Sequence, residues 1–145
     1  MEKIKFKRLN DFAVVPVQGS ADSAGYDLYA ATDYEIQIAP HKTVKIGTGL
    51  SFELPRGYFA GIFARSGLAT KKGLRPANCV GVCDSDYRGE YIVALHNDST
   101  ETQIIRHGDR IAQAMILPVF PTTFEQVEEL PDTERGIGGF GSSGN

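Results

Sequence analysis

The chain has 145 residues, of which 41% are hydrophobic and 23% are charged, and its formal net charge is -3. This is the composition of one ordinary globular domain, long enough to bury roughly 68–70% of its unfolded surface, so further domains are not expected. The acidic balance excludes the broad basic surface that duplex nucleic acid requires, and an anionic ligand must therefore be met by a local cluster of cations.

The chain carries no segment that would take it into or across a membrane. Residues 1–7 read MEKIKFK and lack the apolar core of a signal peptide, and no apolar run approaches the length of a membrane span. We therefore predict a cytoplasmic protein with no membrane partner. In that compartment the glycosylation match at residues 97–99 is idle.

The first half of the chain predicts short β-strands. Residues 3–9 alternate charged and apolar side chains, as a half-buried strand does, and a loop with Pro16 and Gly19 follows. Asp27 is an isolated acid inside the next apolar run. Short apolar runs separated by turn residues then recur, which is typical of an antiparallel sandwich or barrel. These runs cover residues 26–31, 34–38, 43–46, 50–54 and 58–63.

Residues 65–73, with the sequence RSGLATKKG, interrupt the β pattern. Ser66 is suited to cap a short helix over residues 68–72, and Gly73 is suited to end it. No other helix is predicted. A helix start that combines Arg65, Ser66 and free backbone N–H groups also suits an anion, although capping alone explains the serine equally well.

The densest cluster of charge lies between two apolar runs, at residues 79–83 and 91–95. The segment 81–90 reads GVCDSDYRGE, which predicts a β-hairpin whose turn carries three acids, an arginine and a tyrosine. Charged hairpin tips are usually only solvated, so this segment does not establish a site by itself.

The two cysteines, Cys79 and Cys83, are four residues apart in a predicted strand, which puts their side chains on one face. Two thiols without a pair of histidines make a poor zinc site, and a reducing compartment disfavours a disulfide. We interpret both as small apolar packing residues.

The second half of the chain predicts further strands at residues 91–96, 103–105 and 110–119. His96 is a lone histidine in an apolar run, so a satisfied strand residue is favoured over a catalytic base. Gln113 is a polar residue in a mostly buried strand and must therefore find hydrogen-bond partners.

From residue 131 the composition changes to one that cannot build a core, which predicts a β domain over residues 1–130 and a flexible Gly-rich arm over residues 131–145. The GIGGFG run resembles the dinucleotide fingerprint, but no βαβ unit precedes it and no helix can follow it. A disordered terminus is the plain alternative. One arginine and one phenylalanine among glycines nevertheless suit a lid, with a charge for phosphate and a ring for a base.

Five segments follow one another along nearly the whole chain: AGYDL at 24–28, RSGLA at 65–69, GVCDSDYRG at 81–89, RIAQ at 110–113 and RGIGGFG at 135–141. In this order they closely resemble the five motifs of the homotrimeric dUTPases. One such motif would be weak, whereas five in family order make coincidence very unlikely. Cys83 departs from the pattern, which commonly has an aliphatic residue there, and the change is conservative.

The resemblance implies an all-β, jelly-roll-like (β-clip) subunit with one short helix and a C-terminal arm that closes over the active site. It also implies a homotrimer whose active sites are shared between chains. The implied reaction is the hydrolysis of dUTP to dUMP and pyrophosphate with Mg²⁺, which keeps uracil out of DNA and supplies dUMP for thymidylate synthesis.

The resemblance also implies residue roles by motif position. Asp84 would orient and deprotonate the water that attacks the α-phosphorus, a choice over Asp86 that spacing alone cannot make. Tyr87 would lie against the deoxyribose and leave no room for a 2′-hydroxyl, and Asp27 would be an outer-shell partner of water-ligated Mg²⁺. Arg135 would act on the phosphates as a catalytic residue. The remaining substrate-binding residues would be Asn78, Val82 and Cys83 with Phe140 and Gly141 for the uracil, and Arg65, Ser66, Gly67 and Gln113 for the phosphates.

Two other functions stay open beside this one. A dCTP deaminase has a related fold, but its pattern has a glutamate base where this chain has Asp-Ser-Asp-Tyr at residues 84–87. The other alternative is a nucleotide-binding regulatory protein with its own partner. Five complete motifs weaken the idea of an inactive enzyme without excluding a second role.

Overall fold

The computed structural model describes residues 3–139, and in that range the chain forms twelve β-strands and one short helix. No helix in these residues is long and apolar enough to cross a membrane. The strands are β1 (Lys5–Arg8), β2 (Val17–Gln18), β3 (Tyr26–Tyr29), β4 (Ile36–Ile38), β5 (Thr43–Gly47), β6 (Leu50–Glu53), β7 (Tyr58–Phe63), β8 (Leu74–Pro76), β9 (Val80–Cys83), β10 (Ile92–Asn97), β11 (Gln103–Ile105) and β12 (Arg110–Pro118), and the helix is α1 (Ser66–Lys72).

The strands form antiparallel sheets, which confirms the predicted all-β, jelly-roll-like class. The largest sheet has the strand order β2-β3-β12-β7-β9, and a three-stranded sheet has the order β5-β10-β8. Two smaller pairs, β1-β6 and β11-β4, complete the body. Most neighbours in these sheets are far apart in sequence, so the core forms by long-range pairing.

The core lies between the sheets, and strands such as β4 and β10 bury every second side chain. Leu28 on β3, Ile46 on β5, Leu95 on β10 and Ile111 on β12 are all at most 1% exposed. Tyr91, just before β10, packs its ring 4.6 Å from that of Phe52 and is also buried. The apolar alternation seen in the sequence is therefore the pattern that builds this core.

The opposite face of the five-stranded sheet is also apolar. Val82 on β9 is 63% exposed, and Phe63 on β7 and Met115 on β12 lie on the same side of the sheet. Gly61 lies beneath this surface, where a Cβ would come within 2.6 Å of the Phe63 ring. A single chain thus leaves an apolar sheet face open to solvent.

Residues 119–139 follow β12 without forming helix or strand. Several of their large apolar side chains are exposed, including Phe120 at 77%, Phe124 at 101% and Leu130 at 81%. Apolar side chains held fully in water do not stabilise the chain that carries them. The segment therefore gains little from its own subunit.

The predicted hairpin around residue 84 is wrong. β9 pairs with β7, and β10 pairs with β5 and β8, so the two strands belong to different sheets. Asp84 and Asp86 lie in the turn after β9. The separation leaves a gap between β9 and β10.

The predicted capping role of Ser66 is also wrong. The helix begins at Ser66 itself, its N-cap is Arg65, and no side chain caps it. The predicted end is confirmed, because Gly73 adopts a left-handed φ of 63° as the C-cap.

Two further predictions are wrong because the residues concerned are exposed to solvent. All four residues of β1 are exposed, so this strand is not half-buried in the single chain. Cys79 is exposed with a φ of 61° and precedes β9, so it does not pack beside Cys83. Cys83 does pack against the core, as predicted.

Candidate active site

The gap between β9 and β10 forms a pocket of about 280 Å³. Asn78, Val82, Cys83 and Tyr87 line it together with Asp84, so the structure brings together those residues predicted to meet the base and sugar that lie within residues 3–139. In the described part of the chain β9 pairs with β7 alone, so its edge toward the pocket has free backbone donors and acceptors there. A planar base with both donors and acceptors along one edge is the kind of ligand such a strand edge can bind.

Tyr87 forms one wall of this pocket. Its hydroxyl donates a hydrogen bond to the Glu90 carbonyl at 3.1 Å, and its backbone N–H donates to the Asp84 carbonyl at 3.2 Å. The ring packs over Gly89, where a Cβ would overlap the Tyr87 hydroxyl. Gly89 is therefore required for the position of the tyrosine ring.

Asp84 lies where the pocket wall ends, in the turn that follows β9. The residue is exposed, and within residues 3–139 its carboxylate accepts no hydrogen bond. It can therefore accept a proton or a hydrogen bond from water without first losing a protein contact.

A second cluster surrounds Asp27 on β3. The residue is 8% exposed, and its two carboxylate oxygens accept hydrogen bonds from Arg65 Nε at 2.7 Å and from an Arg110 Nη1 at 3.2 Å. Ser66 and Gly67 are exposed at the start of α1 directly after Arg65. Two guanidinium groups and an exposed helix start thus lie close together. Such an arrangement is suited to bind a polyanion such as a chain of phosphates.

Gln113 joins this cluster through the sheet. It pairs with Asp27 on one side and with Phe63 on the other, and its Nε2 donates to the Ala64 carbonyl at 2.9 Å. The predicted need for a partner is therefore confirmed. Gly25 is required beside it, because a Cβ there would lie 2.6 Å from Gln113 Oε1.

Arg110 is a residue of this cluster that the sequence analysis did not single out. In a regular strand residues 110 and 113 point to opposite faces, so their spacing gave no reason to join them. A register shift between Arg110 and Ala112 changes this and lets the arginine reach Asp27. The signal that could have identified Arg110 was its position as the first residue of the RIAQ segment.

The two clusters lie far apart in one chain. Cys83 pairs with Ala60 near the start of β7, whereas Arg65 follows the end of the same strand. At about 3.3 Å per residue, the backbone of Asp84 and that of Arg65 are separated by roughly 20 Å along the sheet. A single subunit therefore does not bring the predicted water-activating acid to the predicted phosphate ligands.

His96 is a satisfied strand residue, as predicted. Its Nδ1 lies 2.9 Å from Thr43 Oγ1, and its Nε2 lies 3.5 Å from Asp98 Oδ1. It does not line the pocket between β9 and β10. A role as the catalytic base is therefore not supported.

The arm can be described only in part. Residues 131–139 have no helix or strand, and Arg135 is exposed with its Nε donating to the Gly138 carbonyl at 2.9 Å. Phe140 and Gly141, which were predicted to close over the base, lie outside the described residues.

The carboxylates near the phosphate cluster limit how the predicted Mg²⁺ can bind. Among residues 3–139 no three His, Cys, Asp or Glu side chains converge as an all-protein metal site would require. Asp27 already accepts from two arginines, so direct ligation is disfavoured, but each oxygen keeps a lone pair for a water. The arrangement fits the predicted outer-shell role and no closer one.

Cys83 and Tyr91 form the wall between the pocket at β9 and β10 and the core. Burial raises the pKa of the Cys83 thiol above its ordinary 9.0, so the group stays a neutral thiol at pH 7. Burial also raises the pKa of Tyr91 well above its ordinary 10.0. The Tyr91 hydroxyl has no hydrogen-bond partner in the described part of the chain.

These two shifts predict a loss of stability in alkali. The unfolded chain releases both protons at lower pH than the folded chain does, so the joint contribution is complete below about pH 8 and falls as the pH rises. We expect the free energy of unfolding to drop by about 1–2 kcal/mol from Tyr91 between about pH 9 and 11. Chemical denaturation at both pH values measures this difference.

The matched variants for that measurement are Tyr91→Phe and Tyr34→Phe. Tyr91→Phe removes the titrating hydroxyl and should flatten the alkaline decline, whereas Tyr34 is 68% exposed and its replacement should not. An equal decline in Tyr91→Phe and the unaltered protein would show that burial of this hydroxyl is not the cause.

The chain is similar to known proteins over nearly its whole length. A family model described as dUTPase matches residues 11–144. A deoxyuridine 5'-triphosphate nucleotidohydrolase of Desulfitobacterium hafniense is 50% identical over 143 residues, covering 98% of this chain and 95% of the relative. These matches extend over both clusters and most of the arm.

Solved structures with the same fold include two phage enzymes. The Staphylococcus bacteriophage 80alpha dUTPase with dUPNHPP has a TM-score of 0.86 and is 27% identical. The match covers 100% of this chain and 100% of the phage chain. A dUTPase from phage phi11 of S. aureus, reported with a structural Mg(II) ion, has a TM-score of 0.82 over 90% of this chain and all of the other. At 23% identity the second likeness supports the fold alone. The chain therefore belongs to the dUTPase family and is an enzyme of the dUTP diphosphatase class.

Proposed function

We propose that this enzyme hydrolyses dUTP to dUMP and pyrophosphate through attack of a water molecule on the α-phosphorus, with Asp84 as the base. The observation that carries the proposal is the exposed Asp84 carboxylate, which accepts no hydrogen bond within residues 3–139 and lies at the end of a pocket that suits a base and a sugar. Phosphoryl transfer needs mainly positioning and charge, which a fixed carboxylate and a few arginines can supply.

We propose that the active site is shared between copies of the chain in a homotrimer. The separation of roughly 20 Å between Asp84 and Arg65 supports this. The two residues lie at opposite ends of β7, so Asp84 and Arg65 of one chain cannot both act on the triphosphate of one bound nucleotide. The exposed apolar face with Val82 and Phe63 supports an assembly that covers it.

The segment after β12 is a further candidate for contact between copies. It carries exposed Phe124 and Leu130 with three acids, Glu125, Glu128 and Glu129, whereas the exposed strand β1 is basic. Opposite charge and shared apolar character favour pairing between such segments of different chains. The arm that follows, with Arg135, would then end near a neighbour's pocket.

In the proposed complex the phosphates bind to Arg65, Ser66, Gly67 and Gln113. The Arg65 guanidinium is already oriented by Asp27, which lowers the cost of positioning it when the nucleotide binds. Asp27 would contact the water shell of Mg²⁺, and the bound metal would neutralise charge on the phosphates.

The pocket between β9 and β10 would select the base and the sugar. Asn78 and the strand edge at Val82 and Cys83 meet the uracil, and the Tyr87 ring occupies the space that a 2′-hydroxyl needs. We expect dUTP to be strongly preferred over UTP, dTTP and dCTP. Comparable efficiency on UTP or dTTP would contradict this selectivity.

The reaction is tested by hydrolysis of dUTP in ¹⁸O-labelled water. Attack at the α-phosphorus puts the label in dUMP, whereas attack at the β-phosphorus puts it in pyrophosphate. Release of ammonia from dCTP would indicate the deaminase alternative, and nucleotide binding without any product would indicate a regulatory protein. The proposed activity would keep uracil out of DNA and supply dUMP for thymidylate synthesis.

A further inference from the structure

One side of the base pocket is held by a polar network that the proposed reaction does not use. It runs from Asn97, at the end of β10, through Asp98 and Arg75 to the turn at residues 76–79. That turn carries Asn78, which lines the pocket. The network lies outside the segments that resemble the family motifs.

The first part of the network is a rigid turn. Asn97 is fully buried, its Nδ2 donates to the carbonyls of Ile38 at 2.9 Å and Glu101 at 2.7 Å, and its Oδ1 accepts from the Ser99 N–H at 2.9 Å. Asp98 follows directly, and its backbone N–H donates to the Gly73 carbonyl at 2.8 Å. The Asp98 carboxylate is therefore presented from a fixed backbone. The Asn97-Asp98-Ser99 match thus marks a structural turn and not a glycosylation site.

The second part is a two-point contact between Asp98 and Arg75 on β8. Arg75 Nε lies 2.7 Å from Asp98 Oδ2, and its Nη2 lies 3.2 Å from Oδ1. The hydrogen bond and the charge of Asp98 together raise the pKa of the guanidinium. A bidentate contact fixes the plane of the guanidinium as well as its position.

The third part connects this guanidinium to the turn. Arg75 Nη1 donates to the Pro76 carbonyl at 3.3 Å and lies 3.8 Å from Cys79 Sγ. The same carbonyl accepts the Cys79 N–H at 3.0 Å, which closes the turn around Asn78. Cys79 has a φ of 61°, which is strained for a residue with a Cβ and persists only when the surroundings hold it.

We infer that Arg75, anchored by Asp98, is a positioning residue for base recognition: it fixes the turn at residues 76–79 and thereby the side chain of Asn78. This inference rests on the proposed function, in which Asn78 meets the uracil. It assigns to Arg75 an effect on the affinity for the base and leaves the reaction itself unchanged. The phosphate cluster around Asp27 does not include Arg75, so the effect should be confined to the base.

The test compares Arg75→Gln and Asp98→Asn with the control Arg106→Gln. Arg106 also forms an exposed ion pair, with Glu35 at 2.6 Å, but neither residue lines the base pocket. Calorimetry gives the Kd for dUMP and for inorganic tripolyphosphate, and steady-state kinetics gives KM and kcat for dUTP. Arg75→Lys is included because lysine keeps the charge but cannot contact Asp98 and the Pro76 carbonyl in one plane.

We expect the Arg75→Gln, Arg75→Lys and Asp98→Asn variants to bind dUMP about tenfold more weakly. Their Kd for tripolyphosphate should stay within about twofold, and their KM for dUTP should rise while kcat stays nearly constant. Arg106→Gln should match the unaltered protein in every readout. If Arg75→Gln fails to fold, Asp98→Asn and Arg75→Lys give the same comparison.

Two results would overturn the inference. Normal dUMP affinity in both Asp98→Asn and Arg75→Lys would show that the network does not position the turn. Normal dUMP affinity in Arg75→Lys alone would show that the positive charge at residue 75 is sufficient and that the planar contact with Asp98 and the Pro76 carbonyl is not needed. Failure of the unaltered protein to hydrolyse dUTP would instead contradict the proposed function. The two failures are therefore distinguishable.

Discussion

Asp84→Asn is expected to fold and to bind dUTP while its kcat falls by roughly 10²–10⁴. Asparagine has nearly the same shape but cannot take a proton from the attacking water. The carboxylate is exposed and accepts no hydrogen bond from residues 3–139, so the folded structure should not depend on it. Single-turnover kinetics and binding of a non-hydrolysable dUTP analogue separate the chemical step from affinity.

The matched control is Asp86→Asn, two residues further along the same turn. It removes an equal charge from an exposed position that does not line the base pocket. We expect its kcat to stay close to that of the unaltered enzyme. Near-normal turnover in a folded Asp84→Asn variant would remove Asp84 from the role of base.

Deletion of residues 134–145 is expected to lower kcat by roughly 10³–10⁵, because it removes Arg135 from the phosphates and Phe140 from the base. Trimerisation and thermal stability should be nearly unchanged. In residues 134–139 the contacts are local, such as those of Arg135 with Gly138 and of Gly136 with Thr133, so the arm contributes little to the buried core.

A shorter deletion, of residues 142–145, controls for the loss of the chain end itself. It retains Arg135, Phe140 and Gly141, and we expect it to keep most of the activity. Arg135→Gln in the full chain isolates the charge from the rest of the arm. Full activity of the protein that lacks residues 134–145 would contradict a lid.

Local patterns predicted most elements but not their partners. The alternating apolar runs gave the positions of β3 to β7 and of β10 to β12, and Gly73 gave the end of the helix, because these features depend on neighbouring residues. The predicted hairpin failed because nothing in residues 79–95 shows that β9 pairs with β7 while β10 pairs with β5 and β8. Those pairings are decided by the whole core.

The site was predictable to a similar degree. The residues around Asp84 and Tyr87 were assigned from resemblance, and the structure gathers them in one pocket. The ion pair of Arg110 with Asp27 was missed because it depends on a register shift in β12, which strand periodicity does not reveal. The distance between Asp84 and Arg65 also required the sheet register.

The most direct test of the shared site mixes two inactive proteins, the Asp84→Asn chain and the chain that lacks residues 134–145. If Asp84 and the arm at one site come from different chains, some sites in mixed trimers combine an intact Asp84 with an intact arm. We expect dUTP hydrolysis to reappear after subunit exchange, verified by mass spectrometry of the mixed assemblies, and to stay absent in each protein alone. No activity in verified mixed trimers would contradict a site built from more than one chain.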